Sequence, residues 1–271
     1  MMGIVNVTPD SFSDGGAYDG FEAALAHALR LIDEGADVLD IGGESTRPGA
    51  TAVGEGEELA RTIPLILAIR EKSAVTISID TMKPAVARAA MSAGATMWND
   101  VSALSFASDS LATAAELGCD LVLMHMQGDP VTMQQAPSYQ DVVAEVCNFL
   151  LARAEAAMAA GIGRTSIWLD PGIGFGKTAQ HNLDLIAGLD RLVAVGFPVL
   201  FGASRKGFIR AVDPSAKDPS DRLGGSLAAV LAAARSGVAM VRVHDVAATV
   251  QALDMASALD CAKRGLSNAL A

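Results

Sequence analysis

Aromatic residues are scarce in this chain of 271 residues: they make up 4% of it, although 51% of the residues are hydrophobic. A core of that size must be built from alanine, valine, leucine and isoleucine. Such side chains suit a parallel sheet that is covered by helices. No linker rich in proline, glycine and serine and no low-complexity tract divides the sequence. We therefore expect a single domain over residues 1–271.

Cysteine is also rare. Cys119, Cys147 and Cys261 are odd in number and form neither a CxxC motif nor a zinc-ligand spacing. This usage is typical of free thiols in a reducing compartment and predicts a cytoplasmic protein. No run of about 18 uncharged apolar residues occurs, and no basic segment precedes an apolar run at the N-terminus, so neither a membrane span nor a signal peptide is predicted.

Positively charged residues are outnumbered: the chain has 20 lysine and arginine residues and 31 aspartate and glutamate residues, which gives a formal net charge of −11. An acidic surface disfavours nucleic acid and anionic membranes as partners. An anionic substrate must then be held by a local cluster of cations, with or without a metal ion.

Eight short apolar runs are predicted to be β-strands, and segments of helical character lie between them. The predicted strands are 3–7, 38–41, 76–80, 96–99, 121–126, 166–170, 198–202 and 240–244. The helical segments include 21–34, 59–70, 139–160, 227–236 and 246–259. Eight βα units in a chain of this length predict an α/β protein with a closed (β/α)₈ TIM barrel. An open doubly wound sheet is the alternative.

Polar side chains stand at the C-terminal end of every predicted strand, where the active site of such a barrel lies. One polar residue there is often only a cap or a turn former, but polar residues at all of these ends favour a site. They are Asn6, Asp40, Asp80, Asn99, His125, Asp170, Ser204 with Lys206, and Arg242 with His244.

Arg242 and His244 form the clearest pair. Strand side chains alternate, so both point to the same face of the last strand. A guanidinium beside an imidazole suggests an oxyanion such as phosphate as the ligand. The alternative is that Arg242 is paired with a buried acid and that His244 is satisfied by a backbone carbonyl.

A second group of strand-end residues offers hydrogen-bond acceptors, an amide and a donor: Asp80, Asn99, Asp170 and Lys206. A planar heterocycle with adjacent donors and acceptors needs such partners. Asp80 has an alternative role as the cap of a helix that starts near Lys83. His125 is expected either in the wall of the site or as a satisfied core histidine.

The segment 166–177, SIWLDPGIGFGK, is predicted to be a strand that ends at Asp170-Pro171-Gly172 and continues into a glycine-rich loop able to approach a ligand. Its end resembles a nucleotide-binding P-loop, but Pro171 stands where that motif needs glycine. Two early loops, 8–20 and 42–56, are long and rich in glycine, and we expect them to be lids or else plain solvated loops.

Eight segments of the chain, taken in order, resemble the dihydropteroate synthases. They are NVTPDSFSDGG (6–16), DIGGESTRPGA (40–50), SIDT (78–81), NDV (99–101), MHMQG (124–128), DPGIGFGK (170–177), SRK (204–206) and RVHD (242–245). The resemblance implies a (β/α)₈ barrel that joins p-aminobenzoate to 6-hydroxymethyl-7,8-dihydropterin pyrophosphate. The products are 7,8-dihydropteroate and pyrophosphate, in folate biosynthesis. It also implies Mg²⁺, a homodimer through the late helices and inhibition by sulfonamides.

The resemblance further implies a role for each matching residue. The pterin ring is assigned to Asp80, Asn99, Asp170 and Lys206. The pyrophosphate is assigned to Arg47, Arg242 and His244, and the Mg²⁺ to Asn6. The wall around p-aminobenzoate is assigned to Thr46, Pro48, Phe175 and Ser204. The catalytic set is Arg47, Asp80, Asp170, Lys206, Arg242 and His244.

Two departures from the family pattern lead to expectations. The chain begins almost directly at the first strand, whereas many members have an N-terminal hairpin. Gly207 follows Lys206 where some members have serine, so p-aminobenzoate is expected to bind more weakly. The alternative functions are a pterin-dependent methyltransferase acting with a corrinoid protein, which has no need of RVHD, and a pterin-binding paralogue without activity, which has no pyrophosphate to release.

Overall fold

A computed structural model describes residues 1–7, 17–45, 51–129 and 132–263. Short runs of aliphatic residues form eight strands, all paired in parallel. They are β1 (Met2–Asn6), β2 (Val38–Gly42), β3 (Thr76–Asp80), β4 (Met97–Asp100), β5 (Asp120–Met124), β6 (Ile167–Asp170), β7 (Leu200–Phe201) and β8 (Met240–Val243).

The strands follow the order β6-β5-β4-β3-β2-β1-β8-β7. An isolated parallel bridge between Leu169 and Val199 joins β6 to β7, and the Leu169 N–H donates to the Pro198 carbonyl at 2.9 Å. The sheet therefore returns on itself as a (β/α)₈ barrel, which confirms the predicted fold class. The open-sheet alternative is wrong.

Helices connect the strands and cover the outside of the barrel. They are α1 (Ala17–Asp33), α2 (Glu55–Arg70), α3 (Pro84–Ser92), α4 (Ser110–Leu117), α5 (Val142–Ala159), α6 (Ala179–Ala187), α7 (Leu189–Val193), α8 (Phe208–Val212), α9 (Leu223–Arg235) and α10 (Val246–Lys263). Within the described ranges, no helix is long and apolar enough to cross a membrane.

The first two helices begin earlier than predicted. Helix α1 starts at Ala17 rather than Phe21, and α2 starts at Glu55 rather than Leu59, so the connections are shorter than the predicted loops 8–20 and 42–56. Apolar periodicity marks only the part of a helix that faces the core. The first turn of α2 carries three glutamates, which are favourable at the positive end of a helix dipole.

The inside of the barrel has an apolar floor and a polar layer above it. The floor consists of Met2, Val38, Met97, Val122 and Leu200, which form a cluster of their own. Trp168 and Met240 pack against this floor. In four of the strands, the residue two positions further along, on the same face, is polar. Val38 is followed in this way by Asp40, Met97 by Asn99, Trp168 by Asp170 and Met240 by Arg242. Alternation along the strands thus places the polar layer at the C-terminal mouth.

Candidate active site

An ion network spans the barrel mouth. The Arg242 guanidinium donates from Nε to Asp40 Oδ2 at 2.6 Å and from Nη2 to Asp80 Oδ2 at 2.8 Å. The Asn99 amide donates from Nδ2 to the same Asp40 oxygen at 3.0 Å. Asp40 is fully buried and the Arg242 side chain is 19% exposed. One guanidinium therefore joins β8 to β2 and β3, and Asp40 adds β4 to the network through Asn99.

This network agrees with the alternative in which Arg242 is paired with acids, although two acids share it rather than one. The described bonds use Nε and Nη2, so the Nη1 edge remains for a ligand. The alternative that Asp80 caps the next helix is wrong: α3 has no side-chain cap, and the Lys83 N–H donates to Thr81 Oγ1 at 3.1 Å. The grip of Arg242 on pyrophosphate stays a prediction.

Burial sets the charge balance of this network. It raises the pKa of Asp80 to about 7, against the lowering effect of Arg242 and with a further increase from Asp40. Burial also works against the charge of Arg242, but Asp40 and Asp80 outweigh it and raise the pKa of this guanidinium. Arg242 therefore stays charged, whereas Asp80 gains and loses its proton near neutral pH.

Asp170 and Lys206 form the second polar pair of the mouth. Asp170 is 6% exposed, and its Oδ1 accepts the Gly172 N–H at 2.7 Å. Burial raises the pKa of Asp170, against the positive charge of Lys206. Burial lowers the pKa of Lys206 to about 8, against the negative charge of Asp170. Each group therefore depends on the other to stay charged, which is typical of a tuned functional site.

The glycines after Asp170 serve a close approach between two loops. Gly172 has φ +66° and Gly176 has φ +61°, conformations that favour glycine. A Cβ at Gly172 would overlap the His125 carbonyl oxygen, and one at Gly176 would overlap the Gln127 carbonyl oxygen. In the described residues these glycines therefore let the loop approach the backbone that follows β5, whereas the sequence predicted an approach to a ligand.

His244 and Ser204 meet at the ends of β8 and β7. The Ser204 Oγ accepts the His244 backbone N–H at 3.2 Å and lies 3.0 Å from His244 Nδ1. A serine hydroxyl thus contacts this imidazole. Through these described contacts Ser204 orients His244. The assignment of Ser204 to the p-aminobenzoate wall stays a prediction.

Asn6, the predicted Mg²⁺ ligand, ends β1 at the rim of the mouth. It is half-buried and aligns through Gly42 with Asp80 in the strand register. Among the described residues, no group of three or more histidine, cysteine, aspartate or glutamate side chains could hold a metal. Mg²⁺ commonly keeps several waters and binds through one or two protein oxygens together with substrate phosphates. An amide oxygen at the rim fits an ion that arrives with a phosphate ligand.

Three predicted site residues, Thr46, Arg47 and Pro48, lie outside the described residues. Glu44, which precedes them, bonds to the chain that follows them and to the start of α3. Its Oε1 accepts the Val53 N–H at 2.8 Å, and its Oε2 accepts Lys83 Nζ at 2.6 Å. Lys83 also donates to the fully buried Glu58 at 2.5 Å. No local sequence pattern indicates this anchor, which joins β2, α2 and α3.

Comparison with known proteins places the chain in a family. The model of the pterin binding enzyme family matches residues 2–244. The dihydropteroate synthase of Streptococcus pyogenes is 46% identical over 259 residues, which cover 96% of this chain and 95% of the relative. The Escherichia coli K12 dihydropteroate synthase is 46% identical over 263 residues, covering 97% and 92%.

Solved structures show the same likeness together with ligands. Xanthomonas albilineans dihydropteroate synthase with 4-aminobenzoic acid superposes with a TM-score of 0.90 at 53% identity, covering 96% of this chain and 92% of that one. The same enzyme in complex with 7,8-dihydropteroate gives a TM-score of 0.86 at 49% identity, with coverage of 96% and 92%. A sulfonamide complex of the Yersinia pestis enzyme gives 0.90 at 43% identity, covering 96% and 93%.

Proposed function

This chain belongs to the dihydropteroate synthases, a family of pterin-binding enzymes, and we propose that its barrel mouth carries out their reaction. It is a transferase that condenses p-aminobenzoate with 6-hydroxymethyl-7,8-dihydropterin pyrophosphate in folate biosynthesis. The observation that carries the site assignment is the single polar layer in which Asp80, Asn99, Asp170, Lys206 and Arg242 meet above the apolar floor.

The chemistry is a displacement at the pterin methylene carbon. The amine nitrogen of p-aminobenzoate bonds to this carbon, the bond from the carbon to the pyrophosphate oxygen breaks, and the amine releases a proton. No protein nucleophile is needed. The Asp80 and Asp170 carboxylates accept ring N–H groups, Asn99 and Lys206 complete the edge of the ring, and the two acids stabilise positive charge at the methylene. The bond to pyrophosphate then breaks to a large extent before the bond to the amine nitrogen forms.

The leaving pyrophosphate meets the cationic side of the mouth. Arg242 offers its Nη1 edge, and His244, oriented by Ser204, offers a ring nitrogen. Arg47 supplies a further guanidinium. Asn6 would hold Mg²⁺, which when bound neutralises charge on the pyrophosphate oxygens. Since Asp40 and Asp80 already neutralise part of Arg242, these additional cations are needed to hold an anion in an acidic protein.

The p-aminobenzoate lies beside Phe175 in this proposal, with Thr46 and Pro48 completing the wall and Ser204 at its edge. The Phe175 ring packs against the Lys206 ammonium, whose Nζ lies 4.5 Å from the ring centroid. This contact joins the wall of one substrate to a group that binds the other. The two substrates therefore meet at Lys206.

A turnover assay tests the function. Purified protein supplied with both substrates and Mg²⁺ is expected to release one pyrophosphate per dihydropteroate formed, and none when p-aminobenzoate is left out. Chelation of Mg²⁺ is expected to lower the rate by about tenfold or more, and added Mg²⁺ to restore it. Pterin binding without pyrophosphate release would favour a binding paralogue. Methyl transfer to a corrinoid protein in place of pyrophosphate release would favour the methyltransferase alternative.

We also propose a homodimer in the cytoplasm. Met255 and Leu259, one turn apart on α10, are 60% and 53% exposed, and Leu223 on the adjacent α9 is 36% exposed. Only Val246 and Thr249 of α10 are buried, so this helix is not a core helix. The expected mass in solution is twice 27.8 kDa. Light scattering on Met255→Asp/Leu259→Asp is expected to give the monomer, while Leu67→Asp, at an exposed position on α2, serves as the matched control.

A further inference from the structure

One buried cation at the mouth has no part in the proposed chemistry. Lys177 ends the DPGIGFGK segment and is 2% exposed. The sequence around it resembles a P-loop in which this lysine would bind phosphate. Its ammonium is instead surrounded by protein acceptors.

Lys177 Nζ lies within hydrogen-bond distance of three backbone carbonyls and one imidazole. It donates to Gly172 O and Phe175 O at 2.9 Å each and to His125 O at 3.2 Å. It lies 2.9 Å from His125 Nδ1. An ammonium has three protons, so these acceptors use its whole donor capacity. The bonds connect the loop after β6 with the end of β5.

The charges around Lys177 agree with this role. Burial, and to a lesser extent the charge of Lys177, lowers the pKa of His125 to about 3, so the imidazole is neutral and its Nδ1 can accept a hydrogen bond from the lysine. Burial lowers the pKa of Lys177 itself to about 7, against the raising effect of Asp170. Bonds from the ammonium to carbonyl oxygens favour its charged form.

The loop that Lys177 holds is bonded to side chains at each of five successive carbonyls. Two of them, Gly172 O and Phe175 O, accept from Lys177. The others are Ile173 O, which accepts from Lys206, Gly174 O, which accepts from Gln134, and Gly176 O, which accepts from Tyr139. A loop with all of these carbonyls engaged has a defined position in the mouth.

Lys206 lies against the stretch between the two carbonyls that Lys177 holds. It donates to Ile173 O, its Nζ lies over the Phe175 ring, and its Cδ would lie 3.1 Å from a Cβ at Gly174. We propose that Lys177 is a positioning residue for the reaction: by tying the loop after β6 to the end of β5, it fixes the places of Lys206 and Phe175. The proposal rests on the proposed function of these two residues at the mouth.

The test compares Lys177→Met with Arg70→Met. Arg70 makes the same kind of contact at the other end of the barrel, where it donates to Gly94 O, Val75 O and Ser73 O. Both variants are expected to melt at lower temperature than the wild type, because each leaves carbonyls without a donor. At a temperature where both are folded by circular dichroism, we expect kcat/KM for p-aminobenzoate to fall about 10- to 100-fold in Lys177→Met, since small displacements in a site are costly. For Arg70→Met we expect a change of less than about twofold, because it holds carbonyls away from the mouth.

A double-mutant cycle separates positioning from stability. If Lys177 acts through Phe175, Lys177→Met is expected to cost clearly less in a Phe175→Leu background than in the wild type. Equal kinetic losses in Lys177→Met and Arg70→Met, or fully additive losses with Phe175→Leu, would overturn the proposal. If Lys177→Met does not fold, Lys177→Gln takes its place, and wild-type kinetics in that variant would overturn the proposal as well. Failure of the function itself would appear as an inactive wild type, which is a separate result.

Discussion

Replacement of Arg242 by methionine is expected to cost the protein about 3–5 kcal/mol of stability and to lower kcat/KM about 100- to 1,000-fold. The guanidinium donates to Asp80 Oδ2 and to Asp40 Oδ2, and the Asn99 amide also donates to Asp40 Oδ2. Without it, the fully buried Asp40 and the 12% exposed Asp80 remain in a low-dielectric site without a cation. Thermal unfolding and steady-state kinetics measure the two losses.

The stability loss in Arg242→Met is expected to depend on pH. Arg242 lowers the pKa of Asp80, which burial raises to about 7, so its removal raises that pKa further. A carboxyl group whose pKa is higher in the folded than in the unfolded state stabilises the fold when protonated, and this contribution is lost as pH rises. The difference between variant and wild type should therefore be small near pH 5 and large near pH 8.

Two variants serve as controls for this prediction. Arg70→Met also removes a partly buried arginine, but Arg70 donates to carbonyls and not to acids, so its cost should be the same at both pH values. Arg242→Met/Asp80→Asn removes one of the two stranded charges and is expected to recover part of the stability at pH 8. A pH-independent cost for Arg242→Met would contradict the view that this residue neutralises buried carboxylates.

Replacement of Asp170 by asparagine is expected to lower kcat at saturating substrate about 100-fold or more. Asparagine keeps the shape and still accepts the Gly172 N–H through its oxygen, as Asp170 Oδ1 does. Its NH₂ group, however, faces the pterin ring with a donor where an acceptor is needed. The negative charge that supports the methylene and Lys206 is also lost. Single-turnover kinetics with both substrates saturating measure the effect on the chemical step.

Asp100→Asn is the matched control for Asp170→Asn. Asp100 is also a buried strand-end carboxylate, and it accepts the Ser102 N–H at 2.7 Å and the Leu104 N–H at 3.0 Å. It follows Asn99 in β4 and therefore points to the opposite face of the sheet. We expect this variant to be less stable but to keep kcat within about twofold. Undiminished turnover in Asp170→Asn would argue against a role for its charge in departure of pyrophosphate.

The strands were predictable because each is a local pattern. Predicted and observed bounds agree fully for Thr76–Asp80 and differ by one or two residues at most ends of the others. Strand β7 lost the largest share of its predicted length, since it was predicted as 198–202 and comprises only Leu200–Phe201. Pro198 has no N–H for the ladder. Helix starts were less predictable, since the first turn of α2 is polar and carries no apolar signal.

The contacts of the site were not predictable from local patterns. His125 was expected in the wall of the site or as a core histidine. It is 6% exposed, lies against the Phe149 ring with centroids 4.9 Å apart and contacts Lys177, which agrees with the core alternative. Neither contact could be assigned from the sequence, because Phe149 lies on α5, beyond the loop that follows His125, and Lys177 belongs to the next βα unit.

The sequence by itself determined the order of the strands along the chain, the face of each strand on which a polar residue lies, and the chemical groups available at the mouth. These follow from a period of two along a pleated strand, which is a property of neighbouring residues. Only the tertiary structure decided which acids share Arg242, at separations of 202 and 162 residues, and which carbonyls hold Lys177. Such partners are set by closure of the barrel, which brings β8 beside β1 and the loops after β5 and β6 together.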